Sequence, residues 1–363
     1  MAMTLHADHV GSLLRPKELL DARQAQQAGR ISPERLREIE DASILQALDM
    51  QKQAGIQIFT DGEYRRETFL DPGVQGIDGL VVQPPNTAGL QWHGPHSGLA
   101  NDAADEGTQV FLTRGVADKL RRAGRLTGAE GAFMSGHAPG AWKITMPGPM
   151  MRANQIFRPG LSDKVYDSPV AVARDLALIM AEEVRDLARE GAAYFQLDSL
   201  MYVRPLPPEF LAQVVELDNI VLDAAREAGM TVGLHMCRGN NRSSWLSEGS
   251  YEPNAEQAFG NLRADRFLLE YDTDRAGGFE PLRFMPRDKV VVLGLVSSKV
   301  PDLESLEALR WRIDEAAKYV PMENLAISPQ CGFASSLLGN LLSWDEQRRK
   351  LELVSETAQK VWG

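Results

Sequence analysis

Thr231-Val232-Gly233-Leu234-His235-Met236-Cys237-Arg238-Gly239-Asn240 is the stretch on which the reading of this chain turns. Thr231 to Met236 has the composition of a short buried strand, entered from a helix that stops at Gly229. Side chains on a strand alternate between faces, so His235 and Cys237 project to the same side. An imidazole nitrogen and a thiol sulfur placed this way at a strand end make half of a zinc site. The other cysteine of the chain, Cys331, follows a second short apolar run, Leu325 to Ile327, in Ser328-Pro329-Gln330-Cys331-Gly332. Between the two lies Phe267-Leu268-Leu269-Glu270, apolar and ending on a carboxylate. Three strand ends thus offer His235, Cys237, Glu270 and Cys331, a tetrahedral set. The competing reading is that both cysteines are small buried hydrophobes. Residue types and spacing leave the two open.

Working outward, the same strand–helix alternation recurs. Leu5 to Pro16 reads as a strand running into a loop, and two helices follow. The second carries Ser32 as N-cap, Pro33 in the first turn and a stop at Gly55. Gln57-Ile58-Phe59-Thr60 is a strand with Asp61-Gly62-Glu63 as its exit loop. Ala141 to Met146, Tyr194 to Leu197 ending on Asp198, and Val290 to Leu295 are further strands. The helices between them include one opened by Ser168-Pro169, with Val172, Leu176, Ile179 and Leu187 on its apolar face. Others run from Pro207 to Ala228, around Pro253 to Leu262, after a cap at Asp302, and from Trp344 to Val361. Near-continuous apolar strands alternating with helices imply a parallel sheet, and the count implies an α/β fold closed into a (β/α)8 TIM barrel. A doubly wound open sheet is the runner-up, but no Gly-x-Gly-x-x-Gly opens a helix.

Residues 1–363 are therefore expected to form a single barrel domain, interrupted at 71–115 by an irregular insertion after the second strand. The runs Leu80-Val81-Val82 and Val110-Phe111-Leu112 suggest β excursions there. Trp92, His93 and His96 lie within it, and a lid over a site competes with a merely irregular loop. Barrel enzymes carry their chemistry at the C-terminal ends of the strands, where Ser12, Glu63, Asp198, His235, Glu270 and Cys331 all fall.

Composition narrows the function. The 363 residues are 44% hydrophobic and 25% charged, as in a soluble globular protein. A net charge of −11 without a basic cluster argues against nucleic acid. No apolar run is long enough to cross a bilayer, and Met1 to His6 lacks the blocks of a signal peptide. A cytoplasmic location follows as the expectation, where thiols stay reduced.

In these runs the chain resembles the cobalamin-independent methionine synthase family, specifically its catalytic C-terminal barrel. The resemblance is carried in order by Val10-Gly11-Ser12, Asp61-Gly62-Glu63, Phe195-Gln196-Leu197-Asp198, Leu234 to Asn240, Leu268-Leu269-Glu270 and Ser328 to Gly332. It implies a catalytic zinc held by His235, Cys237, Glu270 and Cys331, and an amino-thiol substrate held by Ser12, Glu63 and Asp198. Two departures stand out. The family's double-barrel synthases have an N-terminal barrel that this chain lacks. They also carry a histidine after the seventh strand that protonates the departing folate nitrogen, where this chain reads Gly294-Leu295-Val296-Ser297-Ser298-Lys299. These phrases look more like the single-barrel branch, which includes epoxyalkane:coenzyme M transferase-like proteins.

The expectation is zinc-dependent alkyl transfer, most simply methyl transfer, to a small thiol such as homocysteine. Two thiolates and a carboxylate on Zn²⁺ give a site of formal charge −1, which keeps a bound sulfur nucleophilic; zinc hydrolases more often use His and carboxylate ligands with an open water site. Glu63 and Asp198 would pair with an ammonium group; the plainer alternative has them capping helices or pairing with Arg65 and Arg66. A thiol bearing a sulfonate, as in coenzyme M, would need an arginine, with Arg15, Arg66 and Arg238 available. A zinc hydrolase and a barrel with purely structural zinc are the remaining alternatives. Methyltetrahydrofolate, a methyl corrinoid, a sulfonium compound, an epoxide and a methyl ether all stay open as donors.

Overall fold

The structure, a computed structural model, describes residues 5–84, 91–102 and 114–363. Among the described residues eight strands appear in chain order: β1 (Ile77–Val82), β2 (Arg114–Arg122), β3 (Lys143–Pro147), β4 (Tyr194–Ser199), β5 (Thr231–Met236), β6 (Arg266–Glu270), β7 (Val290–Val296) and β8 (Leu325–Pro329). β1 and β2 pair antiparallel as a separate ribbon, while β3 to β8 form one parallel sheet in sequence order. α-Helices return the chain between successive parallel strands, except between β6 and β7, where the short 3-10 helices Asp274–Ala276 and Glu280–Phe284 make the crossover.

Two N-terminal segments complete the wall. Ala7 forms a parallel bridge to Ile327 of β8, and Phe59 one to Trp142 beside β3. They meet each other through the His9 ring on the Ile58 carbonyl and the Leu13 N–H on the Gly62 carbonyl. The result is the TIM-barrel-like fold, with one correction: the first two expected strands are reduced to single bridges. Side chains take the place of ladder bonds there. The Gln51 amide accepts from Thr60 N–H and donates to the Thr60 carbonyl, and Gln347 accepts from Leu14 N–H. Backbone groups satisfied this way have none left for a neighbouring strand.

The large apolar core lies between strands and helices. Val172, Leu176, Ile179 and Leu187 are buried on the helix Pro169–Arg189, capped by Ser168, as its periodicity predicts. Ser32 caps Pro33–Gln53, and Ser343 with Glu346 forms a capping box on Trp344–Trp362. The helix expected after Asp302 begins later. Ser305 caps Leu306–Ala316 by accepting from Ala308 N–H, and Leu303 is 45% exposed. Asp302 instead offers its carbonyl to Lys350.

Inside the barrel a small apolar plug of Val10, Leu268, Val292 and Ala326 adjoins a charged cluster. Lys143 Nζ donates to Asp8 at 2.8 Å and to Gln196 Oε1 at 2.7 Å, and Arg266 lies 3.3 Å from the other Asp8 oxygen. Both ions of the Lys143–Asp8 pair are fully buried, a situation tolerated only with partners on every side.

The insertion does contain β structure, but its second strand is Arg114–Arg122 and runs past residue 115. Val110-Phe111-Leu112 lies outside the described residues. Arg122 and Arg125 tie the ribbon to Glu183, Asp186 and Glu190 on the helix Pro169–Arg189. Among the described residues no helix is long and apolar enough to cross a membrane.

Candidate metal centre and substrate cavity

Register brings the chemistry together. β4 and β5 align Asp198 with His235, and β5 and β6 align His235 with Leu268. Cys237 leaves the end of β5 and Cys331 the end of β8, so ligands far apart in sequence arrive at one rim of the barrel. The His235, Cys237 and Cys331 donor atoms all lie within 4.8 Å of one another, and all three residues are buried. His235 Nδ1 sits 3.1 Å from the Leu268 carbonyl, which leaves Nε2 to face Cys331 Sγ at 3.5 Å. A ring whose Nδ1–H is committed to a carbonyl presents its Nε2 lone pair inward, the orientation a metal-ligating histidine needs.

The three groups set one another's protonation. Cys331 shares a proton with Cys237 and His235 stands beside it, so the Cys237 thiol is held well below the ordinary range against the effect of burial. The same contact pushes Cys331 up. Burial alone would lower His235, but the Cys237, Asp198 and Glu270 charges outweigh it and raise the imidazole. Two sulfurs and an imidazole nitrogen converging in a buried pocket fit a zinc-type ion by donor chemistry.

Glu270, the fourth expected ligand, is not in that cluster. Its Oε2 accepts from Arg238 N–H at 2.7 Å, and its Oε1 is paired with Arg275 at 2.6 Å. Arg275 also holds Asp272 at 3.0 Å, and its guanidinium lies over the Trp245 ring.

The trio opens into a cavity of about 490 Å³, which Ser12, Glu63 and Asp198 also line. Ser12 is packed against Gly332: a Cβ there would stand 2.0 Å from Ser12 Oγ, so any side chain at that position would displace the hydroxyl. Glu63 has φ +61, a left-handed conformation that costs a non-glycine residue energy. It is held there by Asp61 accepting from its N–H and by Arg15 donating to its carbonyl. Its Oε1 accepts from Thr145 at 2.6 Å and lies 3.5 Å from Arg66, while Oε2 is buried with no partner. Asp198 accepts from Gln196 at 2.8 Å. Burial, opposed by His235 and aided by the Glu63 charge, pushes its carboxyl up to about 7.

Of the plainer alternatives for Glu63, pairing with Arg66 is present, although Arg66 is chiefly engaged by Glu130. Burial works against the Arg66 cation, but Glu130 and Glu63 outweigh it and hold the charge firmly. Arg65 turns to Glu40 and Asp41 instead. None of the three arginines proposed for a sulfonate lines the cavity. Arg15 donates to four carbonyls, and Arg238 to the carbonyls of Gly249, Glu270 and Ala276 and the Tyr251 hydroxyl. Thr145, Gln196, Arg275 and Trp245 did not stand out in the sequence. Strand alternation could have found Thr145 and Gln196, each two residues from an inward polar position, but no sequence signal points to the other two.

Fold and site define a TIM-barrel-like protein with a buried imidazole–thiol centre at the C-terminal rim of its strands. Residues 162–360 match the family of the cobalamin-independent synthase catalytic domain, and the chain belongs to that family. It is 36% identical to the uncharacterized protein YxjH of Bacillus subtilis (strain 168), over 98% of this chain and 94% of that one. To the methionine synthase of Pyrococcus horikoshii it is 26% identical, over 89% and 84%. Among solved structures, a putative vitamin-B12 independent methionine synthase from Listeria monocytogenes superposes with TM-score 0.73 at 27% identity, covering 100% and 99%. A B12-independent methionine synthase from Shewanella sp. W3-18-1, in complex with selenomethionine, superposes with TM-score 0.76 at 20% identity, covering 99% and 98%.

Proposed function

We propose that this protein is a zinc-dependent methyltransferase that methylates a small amino-thiol, homocysteine or a close analogue. Family membership supports methyl transfer, and the observation that carries the substrate side is the buried, unpartnered Glu63 Oε2 in the cavity beside the His235–Cys237–Cys331 cluster. In this reading His235, Cys237, Cys331 and Glu270 hold the metal. When bound, zinc acidifies a substrate thiol so that its sulfur is anionic near neutral pH.

The rest is the work of the chain itself. Burial and the Glu63 charge raise the cost of ionising Asp198, and an ammonium group between the two carboxylates relieves it. Thr145 and Arg66 fix one Glu63 oxygen, so the other is aimed without reorganisation. Gln196, itself oriented by Lys143, does the same for Asp198. Ser12 lies at the rim near Cys331, where its hydroxyl can meet the substrate's carboxylate. The lining also includes Phe69, Leu70, Trp92, Met151, Leu200 and Met201, apolar surface against which a methyl donor packs while water is excluded.

A sulfonate-bearing thiol would face two carboxylates in the cavity, with Arg15, Arg66 and Arg238 committed elsewhere and Arg204, which does line the space, donating to the Leu246 carbonyl. Zinc content of the reduced protein and thiol methylation, with homocysteine and coenzyme M assayed in parallel, test the reading. Stoichiometric zinc with turnover of homocysteine is the expected result. Absence of metal, or activity with the sulfonate alone, overturns it.

A further inference from the structure

The insertion reaches Glu270 through two side chains, those of Trp245 and Arg275. His93 bridges Trp245 in the loop after β5, its N–H donating to the Trp245 carbonyl at 2.7 Å and the Trp245 N–H donating back at 3.1 Å. The next residue, Gly94, lies against the indole: a Cβ there would stand 2.4 Å from the ring. The indole in turn carries the Arg275 guanidinium, 4.6 Å from its centroid. Arg275 is 9% exposed and pairs with Glu270 Oε1 at 2.6 Å. These contacts run unbroken from a segment whose Trp92 lines the substrate cavity to the one expected ligand that stands outside the metal-ligating cluster.

Arg275 has two carboxylates to choose from. It holds Asp272 at 3.0 Å as well as Glu270, and Asp272 accepts from Ser297 at 2.8 Å, so its position is fixed independently. Letting go of Glu270 therefore leaves the guanidinium paired rather than stranded, which makes the exchange inexpensive. We propose that Arg275 is a positioning residue that restrains Glu270 from the metal, and that docking of the insertion on Trp245 sets the strength of this restraint. The inference rests on the zinc reading above. Its consequence is that a ligand packing against the Trp92 segment would alter how tightly Glu270 is held, coupling occupation of the cavity to coordination of the metal.

Cobalt(II) binding by the full reduced chain tests this, with affinity measured by chelator competition and the visible absorption of the bound ion as a second readout. Gly94→Ala and Trp245→Leu alter no charge, so a purely electrostatic role for Arg275 would leave them like the parent. Both are expected to bind cobalt about fivefold more tightly, the size of one lost cation–π restraint. Arg275→Met is expected to do the same or more, and adding Gly94→Ala to it should change nothing further. Unchanged or weaker affinity in the two neutral variants, or full additivity with Arg275→Met, overturns the link while leaving the metal reading intact. Gly94 has φ +111, so the alanine there also strains the backbone. Should that variant misfold, the Trp245→Leu arm decides alone. A wild-type chain that takes up no cobalt overturns the metal reading and the link together.

Discussion

Glu63 shows how much one residue is asked to do. It occupies left-handed backbone, spends one carboxylate oxygen on Thr145 and Arg66, and keeps the other buried and unpartnered in the cavity. Such strain persists where the surroundings over-determine it. Replacing Glu63 by Gln keeps the shape and removes the charge, so KM for homocysteine should rise roughly 10- to 100-fold, the scale of a charge-assisted hydrogen bond, with Tm nearly unchanged. Steady-state kinetics decide; an unaltered KM removes Glu63 from the ammonium site. Asp218 makes a different prediction. It is buried on the helix Pro208–Glu227, with Oδ2 accepting from the Tyr202 hydroxyl at 2.6 Å and Oδ1 unpartnered, and burial pushes its carboxyl up to about 7 despite that bond. Between the ordinary carboxylate range and pH 7 the folded chain keeps a proton that the unfolded chain has lost, so stability falls as pH rises through this window. Asp218→Asn does not titrate. Its Tm relative to the parent should therefore climb from pH 5 to pH 8, and parallel Tm curves across that range would refute the assignment.

At the scale of elements, one carboxylate gathers several of the bonds that fasten the insertion to the barrel. Glu183, fully buried on the helix Pro169–Arg189, accepts from Arg122, Arg125 and both the N–H and hydroxyl of Thr127. Burial would raise its pKa, but the Arg125 and Thr127 bonds prevail and hold it below the ordinary value. Its contribution is therefore present above the unfolded pKa and is lost as pH falls through the folded one. Glu183→Ala should cost about 2 kcal/mol, less than the roughly 3–5 of a wholly buried pair, because Arg122 and Arg125 retain Asp186 and Glu190. Thermal unfolding gives the magnitude, and limited proteolysis should find the ribbon of β1 and β2 cut before the barrel. Equal protease resistance in the variant would show that the ribbon is held by something else. Little of this is visible in the sequence: the helix announces itself by Ser168-Pro169 and its apolar period, whereas nothing in the spacing of Arg122 and Arg125 sets them apart.

For the whole molecule, the metal reading makes a stability claim. Three donors from two strand ends gain a common partner only in the folded state, so ion binding is folding energy. Chelation should lower Tm by several degrees, and Cys331→Ser should lose both the metal and the chelator effect; a variant that keeps its zinc would sink the ligand set. The alternation of strands and helices, the caps at Ser32, Ser168 and Ser343, and the inward faces of the long helices follow from local rules, because hydrophobic period and capping act within a few residues. The placement of Ser12, Glu63, Asp198, His235 and Cys331 at strand ends was legible for the same reason, since topology alone sends every strand end to one rim. Tertiary structure alone decided the remainder. The first two strands gave way to side-chain bonds from Gln51 and Gln347, and Glu270 turned to Arg275 rather than to the three donors. Arg15 and Arg238 were drawn to carbonyls instead of the cavity. Each of these outcomes is a competition between several possible partners, some as close as Gln51 and Thr60 or Glu270 and Arg275 and others hundreds of residues apart, as Leu14 and Gln347 are. It is settled by distance and burial in the folded chain, which no hydrophobic period or cap encodes.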